Sequence, residues 1–332
     1  MMRKRTSQLE IINSIQDFIL TGDSFLLSTH QKPDGDALGS SLALARILEG
    51  LDKKCSILLD DSVSSFYRFL PGVEKIEEFT SAAEIDPTTR VIVPDAGNLE
   101  RIGDVSSIFT PKNKILNIDH HPDNTHFGHL NWVEAEAAAT GELIFILIDE
   151  MELMIDEELA TLLATTIITD TGSFRFDNTR PFTHRMMATL LEKGAESTTI
   201  IKEIYQSYEF HQLKLLSLAL DSMERSSDGS LAWCTIDREM MNKTGISPEE
   251  ITGVVNYPRS VNGVRAGVLF KELEEGKVRV SLRSNGSLPV NRVAARFGGG
   301  GHEMAAGCIM EMELGAAKRE LLTALEGEMR NN

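Results

Sequence analysis

Apolar residues recur with a helical period over residues 8–20, and the chain then changes to a short apolar run of strand length, FLLSTH (25–30), that ends in polar residues. The Pro and Gly of QKPDGD force a loop there, after which apolar positions return at helical spacing from Gly39 to Leu51, followed by the strand-like CSILL (55–59). VIVPDA (91–96) and KILNIDHH (114–121) repeat the theme of an apolar strand that ends in an acidic or imidazole side chain. Helical stretches follow at 139–151 and 157–168, so alternating strands and helices predict a mostly parallel sheet covered by helices, with its site beyond the carboxyl ends of the strands.

The pattern then changes. Residues 183–224 read as helical, whereas 231–237, 264–273 and 277–284 read as strands and 248–256, 289–297 and 315–329 as helices. In KVRVSLRS (277–284), Val278, Val280 and Leu282 face one side and Arg279, Ser281 and Arg283 the other. The expected class is therefore α/β: a first domain over 1–195, a helical linker over 196–224, and a smaller mixed α/β domain over 225–332.

Length and composition agree with that division. A chain of 332 residues, 42% apolar and 25% charged, is long enough for two cores and excludes collagen-like and disordered classes. Three scattered cysteines, Cys55, Cys234 and Cys308, support neither a disulfide framework nor a thiolate zinc site, and read as core thiols in a reducing compartment. No apolar stretch is long enough to span a membrane, so a cytoplasmic protein is expected. The net charge of −17 weighs against coating of long nucleic acid. All of the excess lies in 1–224, while 259–296 carries eight bases against three acids, an arrangement suited to metal ions in one part and phosphate in the other.

Candidate chemistry sits at the ends of the predicted elements. His30, Asp34 and Asp36 lie within seven residues on one strand-to-helix loop, where an ordinary turn with an Asp helix cap is the competing reading. Asp95, Asp119-His120-His121 and Asp170-Thr171-Gly172 are expected on three further loops of the same polarity. Four carboxylates and two imidazoles (His30, Asp34, Asp36, Asp95, His120 and Asp170) suffice for two adjacent divalent ions, with an oxygen-rich set that favours Mn²⁺, then Mg²⁺ or Fe²⁺, over Zn²⁺. Such a pair supports in-line attack of activated water on a phosphorus ester without a side-chain nucleophile. The second motif, Gly298-Gly299-Gly300-Gly301-His302, lets backbone N–H groups approach an anion, with His302 beside them, and it does not form a P-loop. His126, His129, His184 and His211 lack such context and read as surface or cap residues.

HQKPDGDALGS (30–40), PDAGN (94–98), IDHHPDNTHFG (118–128), TDTGSFRFDNT (169–179) and GGGGHEMAAG (298–307), in this order, resemble the DHH phosphoesterase family with its DHH-associated C-terminal domain. Length and the absence of additional domains point to its bifunctional oligoribonuclease and adenosine 3′,5′-bisphosphate phosphatase branch, the nano-RNases. The resemblance implies that His30, Asp34 and Asp95 hold one metal ion and Asp36, Asp95, His120 and Asp170 the other, with Asp95 as the bridge. It implies that His121 contacts the scissile phosphate or assists the leaving group, and that Arg283, Ser284, Gly299, Gly300, Gly301 and His302 grip the substrate. The resemblance further implies that 1–195 is the catalytic, metal-binding domain with the active site in the cleft between the two domains, that the substrates are short RNA or DNA oligonucleotides and adenosine bisphosphate, and that a homodimer is one assembly open to the chain. Hydrolysis of cyclic di-AMP or its linear product, RecJ-type exonuclease action and a non-catalytic nucleotide sensor are the alternatives. Two positions depart from the family pattern: Pro94 stands where an aliphatic residue is usual, and Asn98 where an acid is common.

Overall fold

The computed structural model of the protein describes residues 2–247, 253–274, 276–286 and 288–330. The chain divides into two units, 1–207 and 208–332. In the first, α1 (Met2–Leu20) leads into β1 (Ser24–Leu27), α2 (Gly35–Gly50), β2 (Lys54–Leu59), β3 (Ile76–Glu78), β4 (Arg90–Pro94), β5 (Ile115–Asp119) and β6 (Leu130–Val133). Four helices follow, α3 (Thr140–Glu150), α4 (Glu157–Asp170), α5 (Pro181–Glu192) and α6 (Ser197–Tyr205).

The six strands form one sheet in the order β3-β2-β1-β4-β5-β6, and every pair is parallel. Both faces are covered, which is why its central strands read as continuous apolar runs and not as alternation. Leu27, Ile57, Ile92 and Ile118 join a large core built with the helices, while Leu26, Leu58, Val91 and Val93 join a second core with Ile102 and Val105 of a 3-10 segment at Leu99–Ile108. Strand order reverses at the β1/β4 boundary, and ligands of open α/β sheets bind outside the carboxyl ends of the strands at such a boundary. Both β1 and β4 release candidate residues there.

Pro94 leaves the sheet intact. The backbone N–H groups of Val91 and Asp95 donate to β5, so the missing N–H of Pro94 belongs to the edge facing β1, which has already ended at Leu27. The Thr29 hydroxyl instead donates to the Pro94 carbonyl at 2.8 Å.

The second unit contains α7 (Phe210–Asp221), β7 (Glu224–Arg225), β8 (Leu231–Ile236), α8 (Arg238–Thr244), α9 (Asn256–Arg259), β9 (Ala266–Glu274), β10 (Lys277–Ser284), α10 (Val290–Ala295), β11 (Gly300–His302), β12 (Ala305–Met310) and α11 (Leu314–Arg330). Its sheet runs β11-β12-β10-β9-β8-β7 and is mixed: β8 and β9 pair in parallel and the other neighbours antiparallel. Val278, Val280 and Leu282 of β10 are fully buried against α10 and α11, as their alternation predicts. Of the segment 196–224, Ile200 of α6 joins the core of the first unit, and Leu215 and Ala219 of α7 join one in the second. The helix expected over 248–256 falls largely on 248–252, outside the described residues.

Candidate metal centre

His30 follows β1, Asp95 follows β4, and His120 and His121 follow β5, so three neighbouring strands deliver them to one end of the sheet. Asp36 arrives on the first turn of α2. Asp170 does not lie on a loop as expected; it is the last residue of α4, carried in by a helix whose apolar positions pack on α2. Asp34 fulfils both readings of its segment, because its Oδ1 caps α2 by accepting from the N–H groups of Asp36 and Ala37 at 3.0 and 3.1 Å while it also faces His30.

The backbone at Asp95 turns sharply. It has φ +56°, the left-handed region in which Asp is among the better tolerated residues, yet its N–H still donates to Ile118 at 2.9 Å. The turn brings its two oxygens between the histidines: Oδ2 lies 3.5 Å from His30 Nε2, and Oδ1 lies 3.6 Å from His120 Nε2. His120 Nε2 is also 3.7 Å from Asp36 Oδ2 and 3.5 Å from Asp170 Oδ2. Asp34 Oδ1 stands 3.9 Å from His30 Nε2.

Each imidazole is oriented by its other nitrogen. His30 Nδ1 donates to the Gln31 carbonyl at 2.8 Å and His120 Nδ1 to the Ala137 carbonyl at 3.2 Å, which directs both Nε2 atoms at the carboxylates. His121 differs from its neighbour. Its Nδ1 donates to the buried Asp119 Oδ1 at 2.7 Å, and its Nε2 accepts from Arg101 Nη1 at 3.3 Å, so both ring nitrogens have protein partners. Three donor groups, His30/Asp34/Asp95, Asp36/His120/Asp170 and Asp95/His120/His121, each bring their ligand atoms within 4.8 Å of one another.

The clustered carboxylates and imidazoles shift one another's proton affinities. Burial raises Asp36 well above the carboxylate range, reinforced by Asp95 and Asp170, and burial with the same kind of repulsion pushes Asp170 up to about 7. Burial opposes the imidazolium of His30 and His120, but the surrounding carboxylates outweigh it and push them to about 9 and about 10. Asp95 goes the other way: burial raises it, yet the His30 hydrogen bond and the charges of His121, His30 and His120 hold it below the usual range. The result is a buried set of oxygen and imidazole donors, two of whose groups share Asp95 and two His120, which is the donor set that fits a pair of divalent cations.

Several contributors carried no signal by themselves in the sequence. The start of α3 holds the centre in place: the Thr140 and Gly141 N–H groups donate to Asp36 at 2.6 and 3.1 Å, and the Thr140 hydroxyl donates to Asp95 at 3.1 Å. Asp119 is oriented by Asn124 Nδ2 at 2.6 Å, and Asn178 Nδ2 donates to the Asp170 carbonyl at 3.1 Å. Asn98, the second departure from the family pattern, caps the segment that carries Arg101 by accepting from its N–H at 3.0 Å.

The second-unit candidates are arranged differently from the expected glycine loop. Gly300, Gly301 and His302 form β11, the edge strand paired with β12, and Gly299 packs against Gly307 and Cys308 where a side chain would not fit. Arg283 projects from β10 beside Arg259, and burial with that neighbouring charge lowers its pKa. The Ser284 hydroxyl is buried and has no hydrogen-bond partner among the described residues.

Parallel sheet, carboxylate and imidazole cluster and mixed second sheet define a phosphoesterase of the DHH family, and the chain belongs to that family. Residues 24–167 match the DHH family N-terminal domain, and residues 229–331 match the DHHA1 domain. The chain is 34% identical to the bifunctional oligoribonuclease and PAP phosphatase NrnA of Thermus thermophilus, over 91% of this chain and 89% of that protein. It is 29% identical to the protein of the same name from Bacillus subtilis, over 86% and 88%. Among solved structures, an exopolyphosphatase-related protein from Bacteroides fragilis superimposes with a TM-score of 0.89 at 28% identity, covering 96% of each chain. DHH phosphoesterases use divalent metal ions, and the three donor groups offer the ligands. Among the described residues no helix is long and apolar enough to cross a membrane.

Proposed function

We propose that this chain is a bifunctional enzyme that hydrolyses very short oligonucleotides to mononucleotides and dephosphorylates adenosine 3′,5′-bisphosphate to AMP. The observation that carries the reading is a complete acid–imidazole set, shared through Asp95, in a chain aligned over nine tenths of its length with an enzyme of that name. His30, Asp34 and Asp95 hold one ion and Asp36, Asp95, His120 and Asp170 the other, with Mn²⁺ as the working metal. Divalent ions there would supply Lewis acidity toward phosphorus-bound oxygens and lower the pKa of water.

The protein's own groups do the rest. Asp119 fixes the Nδ1–H tautomer of His121, so its Nε2 is the atom that exchanges a proton with the reacting oxygen. Arg283, Gly299, Gly300, Gly301 and His302 bind the nucleotide portion, and Ser284, whose buried hydroxyl has no hydrogen-bond partner among the described residues, joins them. The enzyme acts in the cytoplasm as a homodimer. Chelation followed by add-back of Mn²⁺, Mg²⁺, Fe²⁺ or Zn²⁺, assayed on labelled RNAs of graded length, adenosine bisphosphate, and linear and cyclic di-adenylates, tests the reading. Release of mononucleotides from dinucleotides and of phosphate from the bisphosphate, best with Mn²⁺, is expected; turnover of cyclic di-adenylate alone would overturn it.

A further inference from the structure

Beside the metal centre lies a cavity of about 390 Å³ lined by Gln31, Lys32, Asp61 and Arg101, all in the first unit. Two contacts tie it to the reacting groups. Gln31 follows His30 in the chain and its N–H donates to the Arg101 carbonyl at 2.6 Å, while Arg101 Nη1 reaches His121 Nε2 at 3.3 Å. Its walls are built to hold their shape: Asp61 accepts from the Lys32 N–H at 2.7 Å, and Asp60 accepts from Gln31 Nε2 at 2.6 Å and from the Asp104 N–H at 2.9 Å. Asn98 fixes the turn beneath Arg101.

Charge is the telling feature. The first unit has 33 acids and 18 bases, yet among the described residues neither the Arg101 guanidinium nor Lys32 Nζ is paired with a carboxylate. Arg101 uses one N–H on His121, and its remaining donors have no protein partner among the described residues. A planar fork of donors on the capped 3-10 segment, with Lys32 also lining the cavity alongside Asp61, matches the oxygens of a phosphoryl group.

From this geometry we infer that the cavity is a phosphate-binding part of the active centre, in which Arg101 donates to non-bridging oxygens of the transferring phosphoryl group and Lys32 adds a second, outer positive charge. The inference deepens the proposed function and rests on it for the identity of the substrate. Arg101 keeps its proton throughout; it stabilises charge that grows on phosphorus-bound oxygen and holds His121 by the Nε2 edge until substrate arrives.

The test uses full-length metal-loaded R101Q, R101K and K32A, each checked for metal content by elemental analysis. Because the backbone contacts of Arg101 survive the side-chain change, the variants are expected to fold and to bind metal as wild type does. R101Q should lower kcat on a dinucleotide and on adenosine bisphosphate by roughly 10²–10³-fold with KM changed by less than about threefold, and R101K should recover part of it. Calorimetric titration with inorganic phosphate should show affinity roughly tenfold weaker in R101Q, with a smaller loss in K32A. Unchanged kcat and phosphate affinity in R101Q would overturn the proposal, as would loss of metal, or a KM defect confined to substrates with a second phosphate. If wild type turns over neither substrate, the functional reading fails, while the phosphate titration still decides the subsite.

Discussion

Asp95 and His121 carry the sharpest consequences at the scale of single residues. Asp95 is shared between two donor groups and sits at positive φ, so Asp95→Asn, which tolerates that backbone, isolates the loss of charge better than Ala would. Elemental analysis should find both ions depleted, with activity lower by roughly three orders of magnitude or more; retention of two ions would contradict the bridging role. His121→Ala should leave metal content intact and lower kcat by roughly 10²–10⁴, the range for a lost acid–base group. Metal loss in that variant, with retention in His120→Ala, would mean that the two neighbours have exchanged roles. Proton linkage gives a further expectation. His30 at about 9 and His120 at about 10 must lose protons to bind an ion, so apparent metal affinity should rise with pH up to that range, and loading at neutral pH should release protons. Metal affinity independent of pH between 6 and 9 would exclude the two imidazoles as ligands.

Among the elements, the contact between α2 and α4 decides whether Asp36 and Asp170 can reach the same imidazole. Gly39 of α2 lies against α4 so closely that an added Cβ would stand 2.7 Å from Thr166 Cγ2 and 2.8 Å from the Leu162 carbonyl. Asp36 lies one turn before Gly39, and Asp170 one turn after Thr166. Gly39→Ala should therefore spread the helices, destabilise the protein by about 1–3 kcal/mol and weaken metal binding together with it. Gly50→Ala, where a Cβ meets nothing within 4 Å, should leave metal affinity unchanged and the melting temperature equal or higher. Equal metal affinity and Tm in the Gly39 variant and wild type would show that the helix spacing does not control the site.

For the whole molecule, charge is divided unevenly: 33 acids and 18 bases over 1–207, against 17 and 15 over 208–332. A substrate extending beyond the few phosphates held by specific cations meets an acidic surface on the first unit, and few counterions are released from it. Efficiency per nucleotide should fall as RNA grows beyond a handful of nucleotides, and the salt dependence of binding should be shallow. Degradation of a 24-nucleotide RNA as fast per nucleotide as a dinucleotide would move the protein toward RecJ-type action.

The order of apolar runs along the chain was enough to predict a mostly parallel sheet, a mixed second domain and the strand ends where His30, Asp95 and His120 stand, because burial on both faces writes hydrophobicity directly into each central strand; the short strands β3, β6, β7, β11 and β12 came only with the structure. Local chemistry likewise marked Asp34 and Asp36, two acids within three residues of one another at the start of α2, although Asp34 is also the cap of that helix. Only the tertiary structure decided the rest. Asp170 arrives on a helix end and not on a loop, since nothing in a helical pattern says which terminal residue points at a distant imidazole. The glycines at 300–301 become an edge strand because β12 offers a partner that local sequence does not reveal. Arg101 and Thr140 enter the centre through contacts with residues far along the chain, such as the Thr140 N–H on Asp36, 104 positions away. Those contacts depend on strand order in space, which periodicity along one segment does not encode.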